Sequence, residues 1–123
     1  MKQDYRNNIN TLSMIGTEDF NIYYTINDNE TFIKWGDSKH TISNSMYKGI
    51  LKEFLVNEHE WYSLGASRTN PTEGGLGLFI KNNSVRIINK SLDSEYASLI
   101  AAIMYNEGWI DYKGKKPIKI RKI

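Results

Sequence analysis

Residues 91–123 read SLDSEYASLIAAIMYNEGWIDYKGKKPIKIRKI, and this stretch decides the fold class. Tyr96, Leu99, Ile100, Ile103 and Met104 recur at helical spacing, so a helix is expected from Ser91 or Asp93 to about Glu107. Ala97, Ala101 and Ala102 would let it pack closely. Gly108 follows where a left-handed residue stops a helix. The period then changes to two. Trp109–Tyr112, the turn at Lys113-Gly114 and Pro117–Arg121 read as a closing hairpin. A helix feeding a hairpin makes the chain α+β.

Working back towards the N-terminus, Thr69-Asn70-Pro71-Thr72-Glu73 has the grammar of a helix start. Asn70 would be the cap, Pro71 the first helical residue and Glu73 the closing member of a capping box. Leu76, Phe79 and Ile80 continue that helix, weakened by Gly74, Gly75 and Gly77. Val85–Ile88 is short and β-prone. Trp61–Ala66 is a short strand candidate. Ser43–Val56 reads as a helix with Met46, Ile50 and Phe54 on one stripe and Tyr47, Leu51 and Leu55 beside it, capped by Ser43 or Ser45.

Phe20, Ile22, Tyr24 and Ile26 alternate as in a half-buried strand, and Thr31–Trp35 follows turn chemistry at Asn27-Asp28-Asn29-Glu30. Together they predict an N-terminal hairpin. Residues 1–16 fit either a helix ending near Gly16 or a loosely attached arm. From residue 43 the order is helix, strand, helix, helix, hairpin, which is the order of a winged helix with an added N-terminal β-hairpin. The alternative is one sheet pairing all three strand regions, with two helices on one face.

The 123 residues predict a single domain over 1–123. Three Trp and eight Tyr supply large buried areas for a small core. The absence of cysteine removes disulfide frameworks, thiolate metal sites and cysteine nucleophiles, and fits a reducing, cytoplasmic setting. No apolar run is long enough to span a membrane, and no apolar segment follows Met1–Arg6 as in a secretory signal. Heavy use of Asn, Ile and Lys, residues with AT-rich codons, points to a low-GC bacterial, plasmid or phage gene.

Net charge is only +2, but it is unevenly placed. Lys113, Lys115, Lys116, Lys119, Arg121 and Lys122 fall in the last eleven residues with no acid among them, leaving ten basic against fourteen acidic residues elsewhere. Ammonium groups on a wing can neutralise phosphates and release counterions. The plain alternative is a charged strand edge that resists aggregation. The loop Ser67–Gly75, with Arg68 and Asn70, would offer N–H groups to an anion. It lacks the Lys-Ser/Thr pair of a phosphate-binding P-loop, and a capped helix start explains it as well. Tyr105 and Asn106 would lie on the outward face of the last helix with Glu95 and Ser98, where Asn106 could pair with an adenine edge. That helix has no Arg or Lys, which argues against sequence-specific reading of DNA.

Ile22-Tyr23-Tyr24-Thr25-Ile26 with Phe32-Ile33-Lys34-Trp35-Gly36 is similar in passing to the paired strands of GIY-YIG nucleases. Asn21 stands where that motif has Gly, the second motif is unmatched, and the following helix offers Lys48 and Lys52 in place of Arg. His40 and His59 form no spaced set of metal ligands, and no serine nucleophile elbow is present. No enzyme, cofactor or metal is expected. The expected function is a small nucleic-acid-binding protein of a mobile element or phage, led by the basic hairpin. The alternative is a protein inhibitor of anti-CRISPR or anti-restriction type that binds a larger host nuclease.

Overall fold

The computed structural model describes residues 5–12 and 21–123. In chain order the elements are β1 (Asn7–Ile9), β2 (Ile22–Ile26), β3 (Glu30–Trp35), β4 (Ser38–Ser43), α1 (Ser45–Gly49) continued by a π-helical turn (Ile50–Phe54), β5 (Tyr62–Ser63), α2 (Leu76–Ile88), α3 (Tyr96–Asn106), β6 (Ile110–Lys113) and β7 (Lys119–Lys122). The fold is α+β, with two antiparallel sheets. One has the order β1-β2-β3-β4 and the other β5-β7-β6. The three strand regions therefore do not join into one sheet.

The expected N-terminal hairpin is the centre of the four-stranded sheet. Tyr24 lies opposite Ile33, and the Asn27 side chain accepts from the Asn29 and Glu30 N–H groups to set the turn. Two strands escape the sequence pattern. β1 lies where a helix or arm was expected: Ile9 pairs with Ile22, and the Arg6 N–H donates to Thr25 Oγ1 at 2.8 Å. Residues 1–4 and 13–16 of that reading, and Phe20 at the head of the predicted strand, lie outside the described residues. β4, sequence SKHTIS, is polar except for Ile42, which is fully buried. Backbone pairing with β3 makes it a strand where its composition does not.

The helix expected over 43–56 forms as α1 plus the π-helical turn, in which the Leu55 N–H reaches the Ile50 carbonyl at 2.9 Å. Ser43 Oγ accepts from the Ser45 N–H at 3.3 Å, as expected of a serine there, and Asn44 ties the helix start to the sheet. Asn44 accepts from Thr31 Oγ1 and donates to the Asn27 carbonyl, so it binds the helix to the β2–β3 turn.

The capping box at Asn70 is not used. α2 begins at Leu76, with Gly75 extended before it. The reason is a close approach: the Gly77 N–H bonds to the Leu64 carbonyl at 2.9 Å, and a Cβ on Gly77 would collide with the carbonyls of Gly65 and Ser94. Only a glycine lets the helix start press against the exit of β5. At the other end, the β-prone Val85–Ile88 is the last turn of α2. Asn89, at φ 56°, closes the helix through a bond to the Val85 carbonyl. Packing of Ile80, Ser84 and Ile87 overrides the β preference of the β-branched run.

α3 begins at Tyr96, later than the expected opening at Ser91 or Asp93, and Gly108 at φ 80° ends it as expected. Its burial exceeds one stripe: Ala97 and Leu99–Met104 are all buried. Its less buried positions are Tyr96, Ser98, Tyr105 and Asn106. Ile22, Tyr24, Ile33 and Ile42 from one sheet join Ile110, Ile118 and Ile120 from the other in the cluster around it. Each fully buried isoleucine contributes about 2 kcal/mol.

Candidate nucleic-acid interface

The closing hairpin gains a third strand. β7 lies between β6 and β5, with Tyr112 and Tyr62 on either side of Ile120, and Lys113 and Ser63 on either side of Lys119. Side chains alternate across a strand. Ile118 and Ile120 are buried, and the intervening Lys119 and Arg121 share the outer face with Asp111 and Lys113. Lys115 and Lys116 are exposed at the turn.

Trp61, just before β5, belongs to this face. Lys113 Nζ lies 4.5 Å from the centroid of its ring, and the Arg121 guanidinium carbon lies at the same distance. Both contacts are in cation–π range. Asp111 is the only acid in these strands, and its carboxylate is 3.8 Å from Arg121. Both partners are well exposed, so the pair is weak.

The remaining expected residues are dispersed. Lys122 falls in the inner phase of β7, and its ammonium is 3.5 Å from the Leu51 carbonyl. The chain leaves β5 through the bond from the Leu64 N–H to the Ile118 carbonyl and enters the loop bearing Arg68 and Asn70, both exposed. Asn70 donates its N–H to Ser67 Oγ at 3.0 Å, and Ser94 Oγ donates to the Ser67 carbonyl at 2.6 Å. This loop is braced by α3's approach segment and is not a helix start. Tyr105 is 40% exposed and stands edge-on to Tyr112, with centroids 4.7 Å apart. Asn106 donates to the Tyr24 hydroxyl at 2.6 Å, while that hydroxyl donates to Glu107 at 2.7 Å. Burial, then the bond to Glu107, holds the Tyr24 hydroxyl far above the usual phenol range.

Contacts at both ends of α3 come from the four-stranded sheet. His40 of β4 meets Tyr96 at the first turn (Nδ1 to hydroxyl, 3.0 Å), and Tyr24 of β2 meets Asn106 and Glu107 at the last. The sheet therefore runs along the helix. Of the outward face expected from Glu95, Ser98, Tyr105 and Asn106, Tyr105 and Asn106 are exposed and Glu95 and Ser98 half-buried.

Two hollows lie elsewhere. A cleft of about 470 Å³ is lined by Trp35, Asp37, His40, Glu95 and Tyr96. His40 is held below the ordinary imidazole value by burial and by nearby Lys90. Among the described residues no three acids or histidines gather as a metal site. A smaller apolar socket of about 250 Å³ lies between Ile26, Tyr47, Leu51 and Trp109, rimmed by Asp28 and Lys48. Burial pushes the Tyr47 hydroxyl up to about 12, and it donates to Thr31 Oγ1 at 2.8 Å. No helix among the described residues is long and apolar enough to cross a membrane.

The sequence pattern missed Trp61 as part of the basic face. Its membership depends on β5 pairing with β7, more than fifty residues later, and no local signal encodes that pairing. No protein-family model matches the chain, and neither the curated proteins nor the solved structures contain a match to it.

Proposed function

We propose that the chain binds nucleic acid, without catalysing a reaction, through the outer face of the three-stranded sheet and the β6–β7 turn. The observation that carries this reading is the gathering of Lys113, Lys119 and Arg121 on one face, continued by Lys115 and Lys116 at the turn, against a single carboxylate, Asp111. Such a face neutralises phosphates and releases counterions. The order helix, strand, helix, helix, hairpin, with the first strand added beside the last, supports a winged-helix arrangement from α1 to β7. In that arrangement α3 is the recognition helix and β6–β7 the wing. The four-stranded sheet along α3 keeps that helix out of a major groove. Binding is therefore wing-led and of low sequence specificity, as suits a face composed mainly of lysine.

The test is a salt titration of binding to short DNA, comparing the wild type with a variant in which Lys113, Lys115, Lys116 and Lys119 are all Gln. The wild type should bind with a negative log–log salt slope. The variant's slope should shrink by about 0.9 for each duplex phosphate that it no longer neutralises. Absence of binding at low salt would sink the reading. The socket beside Trp109 then favours a second one, in which the chain docks on a larger protein such as a nuclease. Its apolar floor and charged rim suit an inserted side chain.

A further inference from the structure

Trp35 and Trp109 pack against the hydrophobic core, whereas Trp61 does not. Trp61 is half-buried on the basic face, with Lys113 and Arg121 each 4.5 Å from its ring centroid. An indole placed outside the core gains little stability from burial there. Its neighbours on that face are cations spaced along two strands. Aromatic rings set among backbone-tracking cations are the usual means of holding unpaired bases, because every base has a π-face to stack.

We propose that this face takes single-stranded nucleic acid in preference to duplex, with Trp61 as the platform on which one base stacks. The inference rests on the proposed nucleic-acid binding and specifies its substrate. Lys113, Lys119 and the turn lysines hold the phosphates, and Arg121 lies over the indole, where the cation–π contact holds the ring in place. In a duplex the base faces are already stacked and out of reach. α3, the element that could read base edges, carries no Arg or Lys and is tied at both ends to the four-stranded sheet. Charge alone would favour duplex, whose phosphates are denser and release more counterions for each one neutralised. A single-strand preference therefore needs a stacking contribution.

The experiment measures affinity, at matched salt, for a twelve-nucleotide oligothymidine and a duplex of the same length. The proteins are wild type, Trp61→Phe and Trp61→Leu, with thermal melting to confirm folding. Wild type should favour the single strand. Trp61→Phe should keep most of that preference, and Trp61→Leu should lose roughly tenfold for the single strand and distinctly less for the duplex. Oligothymidine should quench wild-type tryptophan fluorescence and leave the Trp61→Phe emission, from Trp35 and Trp109, nearly unchanged. Equal wild-type affinity for both polymers, or a Trp61→Leu protein that binds the single strand like wild type, overturns this inference alone. Failure of wild type to bind either polymer overturns the binding reading beneath it as well.

Discussion

The two sheets use their inner faces alike and their outer faces differently. Both bury isoleucines against α3: Ile22, Ile33 and Ile42 from the four-stranded sheet, Ile110 and Ile120 from the three-stranded one. On the outer face of the larger sheet, one row runs Tyr23, Lys34, Lys39 and another Thr25, Phe32, Thr41. Its two lysines sit among hydroxyls and aromatics. The smaller sheet places three cations and an indole on its outer face and adds two lysines at its turn. The larger sheet is also bound to α3 by polar contacts, through Tyr24 with Glu107 and Asn106 and through His40 with Tyr96. The difference sets a sheet tied to α3 by side-chain hydrogen bonds apart from one whose outer face is basic.

The sharpest way to break this comparison is to remove what both sheets share. Leu99→Ala empties a fully buried position in α3 and should cost about 3 kcal/mol by urea denaturation. A cost below about 1 kcal/mol would mean that α3 is not the common core.

Next in size is Tyr24→Phe. It leaves Glu107 and Asn106 without their shared hydroxyl and should cost about 1 kcal/mol, since water reaches part of the network. Hydrogen exchange should quicken in β2 and β3 and stay unchanged in β6 and β7. Equal quickening in both sheets would contradict their separate attachment.

A smaller effect is expected at His40. Its folded-state value lies below the ordinary imidazole value, so on acidification the unfolded chain takes up the proton first. The stability this neutral imidazole contributes is therefore full above about pH 6.5 and lost as pH falls through the lowered folded value. Between pH 7 and 5 the melting temperature of wild type should fall slightly more than that of His40→Gln. Parallel curves would remove His40 from the attachment of β4 to α3.

The smallest effect should come from Lys34→Gln combined with Lys39→Gln. DNA affinity should stay within about twofold of wild type, because weak distant charges are screened at physiological salt. A loss as large as that of the four-lysine variant would move the binding surface to the other sheet.

The residues explain how much of this was legible. The alternation at Ile22, Tyr24 and Ile26 and the apolar helix ending at Gly108 are local periodicities, and each marked its element. Local signals failed where a distant partner decided. Asn70 has the chemistry of a cap, yet Gly77 docks on Gly65 and moves the helix start to Leu76. Val85–Ile88 has β-branched residues, yet it completes a helix that packs on its neighbours. The basic residues of the candidate site were visible as a cluster in sequence. Their division between an outer face and Lys122, turned towards Leu51, was visible only as strand phase.

By itself the sequence determined the α+β class, the apolar face and stop of α3, the closing hairpin and the concentration of positive charge at its turn. Those follow from side-chain period, glycine conformational freedom and composition, which act over a few residues. The tertiary structure decided that β5 joins β7, which brings Trp61 within cation–π range of Lys113 and Arg121, and that β1 and β4 complete the four-stranded sheet. Strand pairing is made by backbone groups that every residue carries, so its partners are selected by burial of the whole chain and not by local sequence.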